Sequence, residues 1–269
     1  MTLLRRLARL TLLLVLAVAG VLIELSVFPL ISAARRRGIV RQWSALLLRA
    51  CGLSLLIRDD GVAAGRPLAA VASGRMLVAN HRSWLDIFAI DAIATSAFVA
   101  KSELRRWPLA GWLAALAGTV FIERGRRHAV HRVIETLRAR IRAGFPVALF
   151  PEATTSAGPM LLPFHGNLLE AAIAESAEVV PIAIRYRDAA GRTAHAADFV
   201  GDTGFVESVW TVLGARDLAV EVDVMAPVPS AGRNRHELAR DLRERISLRL
   251  GLSPDSVAER PPGFRSASH

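Results

Sequence analysis

The sequence predicts an α/β fold in which a mostly parallel sheet is covered by helices and preceded by an N-terminal membrane-associated helical hairpin. Three observations support this prediction. From about Arg58 onward, short apolar runs alternate with helical patterns, which is typical of a sheet with helices on its faces. Between Arg9 and Arg35 lie 25 residues whose only charge is Glu24. The chain of 269 residues is long enough for one such domain with an appendage.

The N-terminal apolar stretch would reach about 37 Å as a helix, more than the roughly 30 Å hydrocarbon core of a bilayer. Arginines flank it on both sides, so the positive-inside rule assigns no orientation. These are Arg5, Arg6, Arg9, Arg35, Arg36, Arg37 and Arg41. A segment lying in the interface and bending near Glu24 and Pro29 keeps both basic clusters on the cytoplasmic face. We favour it over a full span.

The residues 39–57, "IVRQWSALLLRACGLSLLI", are apolar and amphipathic and are predicted to form a second helix beside the first. Residues 1–57 would then be the hairpin. The predicted strands that follow are short apolar runs bounded by polar or turn residues. In chain order they cover 75–80, 97–101, 119–124, 146–152, 179–186 and 218–225.

The predicted helices show apolar residues at helical spacing and cover 84–95, 126–143, 167–177 and 235–250. Together with the strands they make one domain over residues 58–253. The polar tail at 254–269 is predicted to be disordered.

The composition favours a lipid partner. There are 34 basic and 24 acidic residues, and the net charge of +10 suits either nucleic acid or an anionic membrane surface. Apolar residues make up 52% of the chain, which favours contact with lipid. One Tyr and five Trp give no aromatic platform for stacking bases, so we expect no nucleic-acid partner. The single cysteine, Cys51, excludes an intrachain disulfide and a thiolate metal cluster.

Polar residues cluster where the predicted strands end. Ligands of such sheets bind beyond the carboxyl ends of the strands, so these residues are candidates for a functional site. In chain order they are Asn80, His81, Lys101, Glu123, Arg124, Glu152, Thr154 and Thr155.

His81 and Asp86 form a His-x-x-x-x-Asp pair that spans the end of a strand and the first turn of a helix. A carboxylate there can hydrogen-bond the imidazole, fix its tautomer and support its protonated form, which predicts that His81 is a general base. The alternative is that Asp86 serves only the helix turn and His81 only the loop. The chain has no Gly-x-Ser-x-Gly elbow and no His-Glu-x-x-His motif, so His81 would activate a substrate hydroxyl directly.

Four segments, in order, resemble the conserved blocks of the glycerolipid acyltransferase family, lysophosphatidic acid acyltransferase type. They are "NHRSWLD" (80–86), "GTVFIER" (118–124), "FPEATTS" (150–156) and "VPIAI" (180–184). The stretch "KSELRRWPLAGW" (101–112) is also similar to the family. The resemblance implies a catalytic domain that transfers a fatty acyl group from acyl-CoA or acyl carrier protein to the hydroxyl of lysophosphatidic acid, in phospholipid biosynthesis. It implies no metal and no cofactor.

The resemblance also implies roles for individual residues. His81 would be the base and Asp86 would orient it. The substrate-binding residues would be Lys101, Arg124, Glu152, Ala153, Thr154 and Thr155. Lys101 and Arg124 would hold the phosphate of the acceptor. Glu152 would orient a hydroxyl or pair with a basic residue, with a structural ion pair as the alternative.

Two departures from the family leave the acceptor open. The third block commonly reads Phe-Pro-Glu-Gly-Thr-Arg, and here Ala153 replaces the Gly and Thr155 the Arg. A lyso-ornithine lipid or another lysolipid is therefore an alternative acceptor, and a non-catalytic lipid-binding protein is the alternative of a different class. We expect the inner (cytoplasmic) membrane as location, with the catalytic domain on its cytoplasmic face, and an anionic membrane surface and possibly acyl carrier protein as partners.

Overall fold

A computed structural model describes residues 2–60, 68–102, 111, 119–122, 127–157 and 160–252. The predicted tail at 254–269, Arg124 and most of 101–112 lie outside these residues. The described strands form a seven-stranded sheet in the order β1-β7-β6-β2-β5-β3-β4. Their bounds are Leu53–Asp59, Met76–Ala79, Ala97–Lys101, Val120–Ile122, Val147–Leu149, Val179–Arg187 and Leu218–Val224, numbered β1 to β7.

The predicted α/β class with a mostly parallel sheet is confirmed. Strands β2 to β6 run in the same direction. Strand β7 is antiparallel to β6, and β1 pairs parallel to β7 at the edge of the sheet. The carboxyl ends of β2, β3, β5 and β6 therefore lie at one edge. Predicted site residues follow β2 and β5 there, and Lys101 ends β3.

The helices of the described residues, numbered α1 to α8, lie before, between and after these strands. Their bounds are Thr2–Ser26, Ala33–Ala50, Leu68–Val71, Leu85–Asp91, Arg127–Arg142, Glu170–Ala174, Phe205–Gly214 and Arg235–Leu250. The predicted helix at 84–95 is shorter in the structure, and 167–177 divides into a 3₁₀ turn, Asn167–Leu169, and α6. Helix α7, Phe205–Gly214, was not predicted.

The core has one apolar layer on each face of the sheet, and β2 contributes to both. All four residues of β2 are buried. Met76 and Val78 pack into one cluster, while Leu77 and Ala79 pack into the other. This alternation is that of a central strand covered by helices on both faces, and it makes the end of β2 a rigid starting point for the loop at 80–84.

Helices α1 and α2 form the predicted hairpin. The Trp43 Nε1–H donates to the carbonyl of Leu16 at 3.1 Å. A Cβ on Gly20 would lie 3.2 Å from Nε1 of the same indole, so glycine permits this close approach of the two helices. No residue of α1 is buried, and residues 2–30 are long and apolar enough to cross a bilayer by length and composition. These features indicate membrane association.

The prediction of helix as far as residue 57 is wrong. Helix α2 ends at Ala50, and Leu53–Asp59 form β1, which joins the sheet beside β7. Gly52, with φ +85°, ends the helix in the left-handed conformation that favours glycine. A short apolar run such as "LSLLI" fits a helix or a strand equally well by periodicity. The predicted boundary at residue 57 thus falls inside a strand.

The start of α1 is attached to the end of α7 through arginine side chains. Arg9 Nη1 donates to the carbonyls of Leu213 at 3.0 Å and Ala215 at 2.7 Å. Arg5 donates to the carbonyl of Gly214, and the Arg6 guanidinium lies 5.0 Å from the Trp210 ring centroid. The last carbonyls of a helix lack partners within the helix and carry its negative dipole end. Arg5 and Arg9 of α1 therefore stabilise the end of α7, and Arg6 adds a cation–π contact with the same helix.

Asp91, the last residue of α4, gives the fold a predicted pH dependence. Its carboxylate accepts the Ser96 N–H at 2.9 Å, and burial raises the pKa of Asp91 from 3.8 to about 8 despite that bond. The folded-state pKa of Asp91 lies above its unfolded value, so the protonated carboxyl group stabilises the fold. Its contribution to the free energy of unfolding is complete below about pH 4 and is lost as the pH rises through about 8, at up to about 1.4 kcal/mol per pH unit. Asp91→Asn should flatten this loss in denaturant unfolding at several pH values. Equal slopes for both proteins would contradict the prediction.

Candidate active site

Asn80 fixes the end of β2 against β6. Its Oδ1 accepts the Ile184 N–H at 2.7 Å and its Nδ2 donates to the Ile184 carbonyl at 3.0 Å. The side chain is buried and bonds both the N–H and the C=O of Ile184, since an amide carries both an acceptor and a donor. The chain after Asn80 therefore leaves the sheet at a defined point.

The structure places the His81 and Asp86 side chains in contact. Nδ1 of His81 and Oδ2 of Asp86 are 2.9 Å apart. The same oxygen accepts the backbone N–H groups of Arg82 at 2.7 Å and Ser83 at 2.8 Å, and Asp86 is fully buried. Asp86 thus serves both the loop before α4 and the imidazole. These hydrogen bonds hold the carboxylate in one orientation beside the imidazole.

Tyr186, on β6, completes this arrangement and was not predicted. Its hydroxyl donates to Oδ1 of Asp86 at 2.6 Å, and the side chain is fully buried. Burial, followed by the negative charge of Asp86, raises the pKa of Tyr186 well above its ordinary value, so the phenol remains a donor. Two features of the sequence could have indicated a role for this residue. Tyr186 is the only tyrosine of the chain, and it lies two positions after the "VPIAI" block.

Tyr186→Phe should lower kcat with little change in the KM for the acceptor. The variant removes one hydrogen bond to a buried charge, which is worth about 1.5–3 kcal/mol, or roughly 10- to 100-fold in rate if that bond orients the carboxylate. Steady-state kinetics of the purified protein would measure it. An unchanged kcat, or a rise in KM alone, would show that the hydroxyl does not act through Asp86.

Aromatic side chains fix the plane of the His81 ring. It stacks on Phe150 with ring centroids 4.0 Å apart and an interplanar angle of 13°, and Phe150 in turn stacks on Phe98 at 5.8 Å. Because Nδ1 is bonded to Asp86, Nε2 lies on the opposite edge of the ring. The side chain retains 19% exposure, so a substrate can approach the imidazole. This leaves Nε2 as the atom to exchange a proton.

Glu152 supports the main chain of His81. Its Oε1 accepts the His81 N–H at 2.7 Å and its Oε2 accepts the Leu162 N–H at 2.9 Å, and the side chain is only 3% exposed. Burial raises the pKa of Glu152, against the lowering effect of these bonds. The Ser156 N–H also donates to the His81 carbonyl at 2.8 Å. The "FPEATTS" segment therefore positions the His81 backbone from both sides.

The other predicted residues of this segment lie close to Glu152. Ala153 is exposed with φ +59°, and Thr154 is half-buried. The Thr155 hydroxyl donates to the Phe199 carbonyl, so at the position where the family commonly has arginine this chain has a bond to its own backbone. The prediction that these residues bind substrate stays a prediction.

The conformation of Ala153 explains why glycine is common at this position in the family. A residue with a Cβ in the left-handed region costs about 1–2 kcal/mol. Ala153→Gly should therefore raise the free energy of unfolding, by about 1 kcal/mol after the extra backbone entropy of glycine is subtracted. Denaturant unfolding would measure it. Ala190→Gly, at an exposed turn position without positive φ, is the matched control and should not stabilise. An equal effect of both changes would contradict the explanation.

The two predicted phosphate ligands are Lys101 and Arg124. Lys101 is the last residue of β3, at the same edge as His81, but its side chain and all of Arg124 lie outside the described residues.

A buried ion pair beside the site was not predicted. Arg82 is 3% exposed, and its Nε donates to Oδ1 of Asp198 at 3.1 Å, while the other oxygen of Asp198 lies 2.9 Å from Nδ1 of His195. Trp84 Nε1–H donates to the Ser208 hydroxyl of α7 at 3.2 Å. The His81 loop is thus connected both to the 195–199 segment and to α7.

In the described ranges no group of three or more His, Cys, Asp or Glu side chains is arranged to hold a metal.

Comparison with known proteins decides the family. The family model described as Acyltransferase matches residues 66–185, which include His81, Asp86, Glu152 and the "VPIAI" block. A lyso-ornithine lipid O-acyltransferase of Pseudomonas aeruginosa is 36% identical over 215 residues, 80% of this chain and 79% of that one. This chain belongs to the Acyltransferase family.

Other relatives of this acyltransferase carry a second name. A 1-acyl-sn-glycerol-3-phosphate acyltransferase of Neisseria gonorrhoeae is 35% identical over 204 residues, 76% of this chain and 79% of that one. The crystal structure of the 1-acyl-sn-glycerophosphate acyltransferase PlsC from Thermotoga maritima matches with a TM-score of 0.64, covering 90% of this chain and 96% of that one. At 22% identity the structural match supports the fold alone. The resemblance stated from the sequence is confirmed.

Proposed function

We propose that this acyltransferase is a 1-acyl-sn-glycerol-3-phosphate O-acyltransferase. It would transfer a fatty acyl group from an acyl-CoA or acyl carrier protein thioester to the free hydroxyl of lysophosphatidic acid in phospholipid biosynthesis. The observation that carries the proposal is the His81–Asp86 contact of 2.9 Å at the carboxyl edge of the sheet, with Nε2 on the edge of the ring away from the carboxylate. The relatives from Neisseria support the choice of acceptor.

In the proposed reaction, Nε2 of His81 takes the proton of the acceptor hydroxyl as its oxygen attacks the thioester carbonyl carbon. The new C–O bond forms, the C–S bond breaks, and the imidazolium returns the proton to the leaving thiolate. Asp86 supports the imidazolium between the two steps, and Tyr186 and the backbone N–H groups keep that carboxylate in place. Every atom and proton is accounted for by acceptor, donor and His81, so the proposal requires no metal and no cofactor.

The acceptor and the oxyanion need further contacts. We assign Lys101, the last residue of β3, and Arg124, two positions after β4 in the sequence, to the acceptor phosphate, because β3 and β4 run in the same direction as β2, which precedes His81. Backbone groups around Pro151–Thr154 would steady the developing oxyanion, since this segment is already bonded to the His81 backbone.

One observation favours a second acceptor. Thr155 stands where a phosphate-binding arginine is common, and its hydroxyl is used by the Phe199 carbonyl. Four curated relatives carry the name lyso-ornithine lipid O-acyltransferase, from Pseudomonas, Brucella, Rhizobium and Rhodobacter. A lyso-ornithine lipid has no phosphate in its head group, so it needs no such arginine.

A panel assay distinguishes these functions. Purified protein would be given lysophosphatidic acid, lyso-ornithine lipid and other lysolipids, each with acyl-CoA and with acyl carrier protein as donor. We expect the highest kcat/KM with lysophosphatidic acid. Preference for lyso-ornithine lipid would select the second acceptor, and lysolipid binding without transfer by any donor would select the non-catalytic class.

The membrane location is part of the same proposal. We place the protein at the inner (cytoplasmic) membrane, with the catalytic domain on the cytoplasmic face and the hairpin in the plane of an anionic surface. Its substrates, a lysolipid and a cytoplasmic thioester, meet there. The proposal includes no nucleic-acid partner.

A further inference from the structure

A cavity of about 360 Å³ lies between the hairpin and the sheet, away from His81. Its walls include the hairpin turn at Phe28 and Pro29, the residues that begin β3, and Pro146 just before β5. Strands β2, β3 and β5 are parallel. His81 follows the carboxyl end of β2, so the cavity is at the opposite edge of the sheet. Its volume is at the small end of ligand pockets, which span about 300–1,000 Å³.

Three arginines from two helices line this cavity: Arg36 and Arg37 near the start of α2 and Arg140 near the end of α5. Among the described lining residues Glu24 is the one acid, which leaves an excess of two positive charges. Arg37 lies over the Phe145 ring at 5.1 Å, and Arg36 uses its Nε to reach the Ile31 carbonyl at 3.2 Å. A guanidinium has five donors, so these contacts leave most of them for a ligand.

Arg37 and Arg140 are half-buried, and Arg36 is exposed at the mouth of the cavity. Some half-buried or buried arginines elsewhere in the described part lie within 4.0 Å of a carboxylate oxygen, among them Arg75, Arg82, Arg138, Arg185, Arg233 and Arg249. Others, such as Arg9 and Arg243, donate to backbone carbonyls. The described residues provide no such carboxylate for Arg36, Arg37 or Arg140. Glu24 lines the same cavity and interacts electrostatically with Arg36, but burial raises its pKa to about 7, so it offsets the three guanidinium groups only in part. A bound anion between the arginines would reduce the repulsion that remains.

The place of Arg36 and Arg37 in α2 adds a second reason for an anion. Both lie close to the N-terminus of the helix, and its first turn has no acidic residue. The positive end of the helix dipole disfavours cations there by about 0.3–1 kcal/mol each. A bound anion would reverse this effect, since it would interact favourably with the arginines and with the helix end together.

The hairpin turn indicates where the anion comes from. Leu22, Leu25 and Leu30, close to the cavity along the chain, are exposed, and Leu30 is 83% exposed. Such side chains at the tip of an apolar hairpin would enter lipid, so arginines directly behind them would lie at the level of the head groups. Guanidinium binds phosphate oxygens through two parallel hydrogen bonds.

The geometry points to a phosphate-binding site formed by Arg36, Arg37 and Arg140, separate from the catalytic site, whose ligand is the head-group phosphate of an anionic phospholipid or a free phosphate. It would hold the hairpin turn and the adjacent sheet edge on the membrane surface. It does not depend on which lysolipid is the acceptor.

Two double variants of the full chain test this inference. Arg36→Gln with Arg140→Gln removes two cavity arginines. Arg35→Gln with Arg132→Gln removes two exposed arginines from the same two helices, outside the cavity, and is the matched control. Co-sedimentation with phosphatidylcholine vesicles, with and without phosphatidylglycerol, measures lipid binding. Calorimetric titration of the detergent-solubilised protein with inorganic phosphate measures the free anion.

We expect the cavity variant to lose about 30-fold in affinity for the anionic vesicles, the effect of two membrane-facing arginines at about 1 kcal/mol each, and the control to lose clearly less. Loss of phosphate binding with unchanged vesicle binding would assign the site to a free phosphate. Equal losses in the two double variants, in both measurements, would overturn the inference. Arg36→Lys with Arg140→Lys keeps the charges and should restore most of the binding. Such a rescue would show that the loss in the glutamine variant comes from the missing charges and not from misfolding.

Discussion

His81→Ala is expected to lower kcat for acyl transfer by about 10²- to 10⁴-fold, the usual contribution of a positioned general base. The alanine cannot accept the hydroxyl proton, while Asp86, Tyr186 and the loop backbone keep their other hydrogen bonds. Lysolipid binding should therefore remain near that of the parent protein. Acyl transfer and binding would be measured on the same purified sample.

His195→Ala is the matched control for this prediction. Its Nδ1 also lies 2.9 Å from an aspartate oxygen, that of Asp198, but the His195 side chain is 70% exposed. His81 and His195 therefore both contact an aspartate, so the control separates the effect of such a contact from the effect of its position in the site. We expect the His195 variant to keep its kcat. Equal losses in both variants, or full activity without His81, would remove His81 from the mechanism.

Asp86→Asn should have the second large effect. In the parent protein one carboxylate oxygen accepts from His81 Nδ1 and two backbone N–H groups, and the other accepts from Tyr186. An amide has one acceptor oxygen and no negative charge to support the imidazolium. We expect a loss of about 10²- to 10⁴-fold in kcat, together with about 1–3 kcal/mol of unfolding free energy.

Asp91→Asn provides the comparison for Asp86. Asp91 is at the other end of α4 and is also buried, but its carboxylate accepts from Ser96 at the amino edge of β3. The change at Asp91 should alter the pH dependence of stability and leave kcat unchanged. Loss of kcat in both variants would mean that the effect comes from disturbance of α4 and not from the lost support of His81.

The strand-to-helix step at 78–91 could be predicted from the sequence because its determinants are local. A buried apolar run ends at Asn80, and a helix with Asp86 in its first turn follows directly. That order brings His81 and Asp86 together without any knowledge of the remaining chain. Two of the family-like segments, 80–86 and 150–156, directly follow β2 and β5, while 118–124 contains β4 and 180–184 lies within β6. These four strands run in the same direction, so their carboxyl ends meet at one edge.

The supporting contacts of the site could not be predicted because they join distant segments. Tyr186 is 100 residues from Asp86, and Arg82 is 116 residues from Asp198. Glu152 was expected to contact a substrate hydroxyl or a basic residue, but its carboxylate accepts two backbone N–H groups, which periodicity does not encode. Strand β1 was missed because its partner, β7, lies 165 positions further on.

The attachment of α1 to α7 means that the leading helix is more than a membrane tether. Arg5 and Arg9 satisfy carbonyls at the end of α7, and Ser208 of the same helix accepts the indole N–H of Trp84, three residues after His81. A shortened protein, made soluble by deleting the first apolar helix, would lose this support of the His81 loop together with the apolar surface of α1. Weak turnover by such a truncated form would say little about the intact enzyme's chemistry.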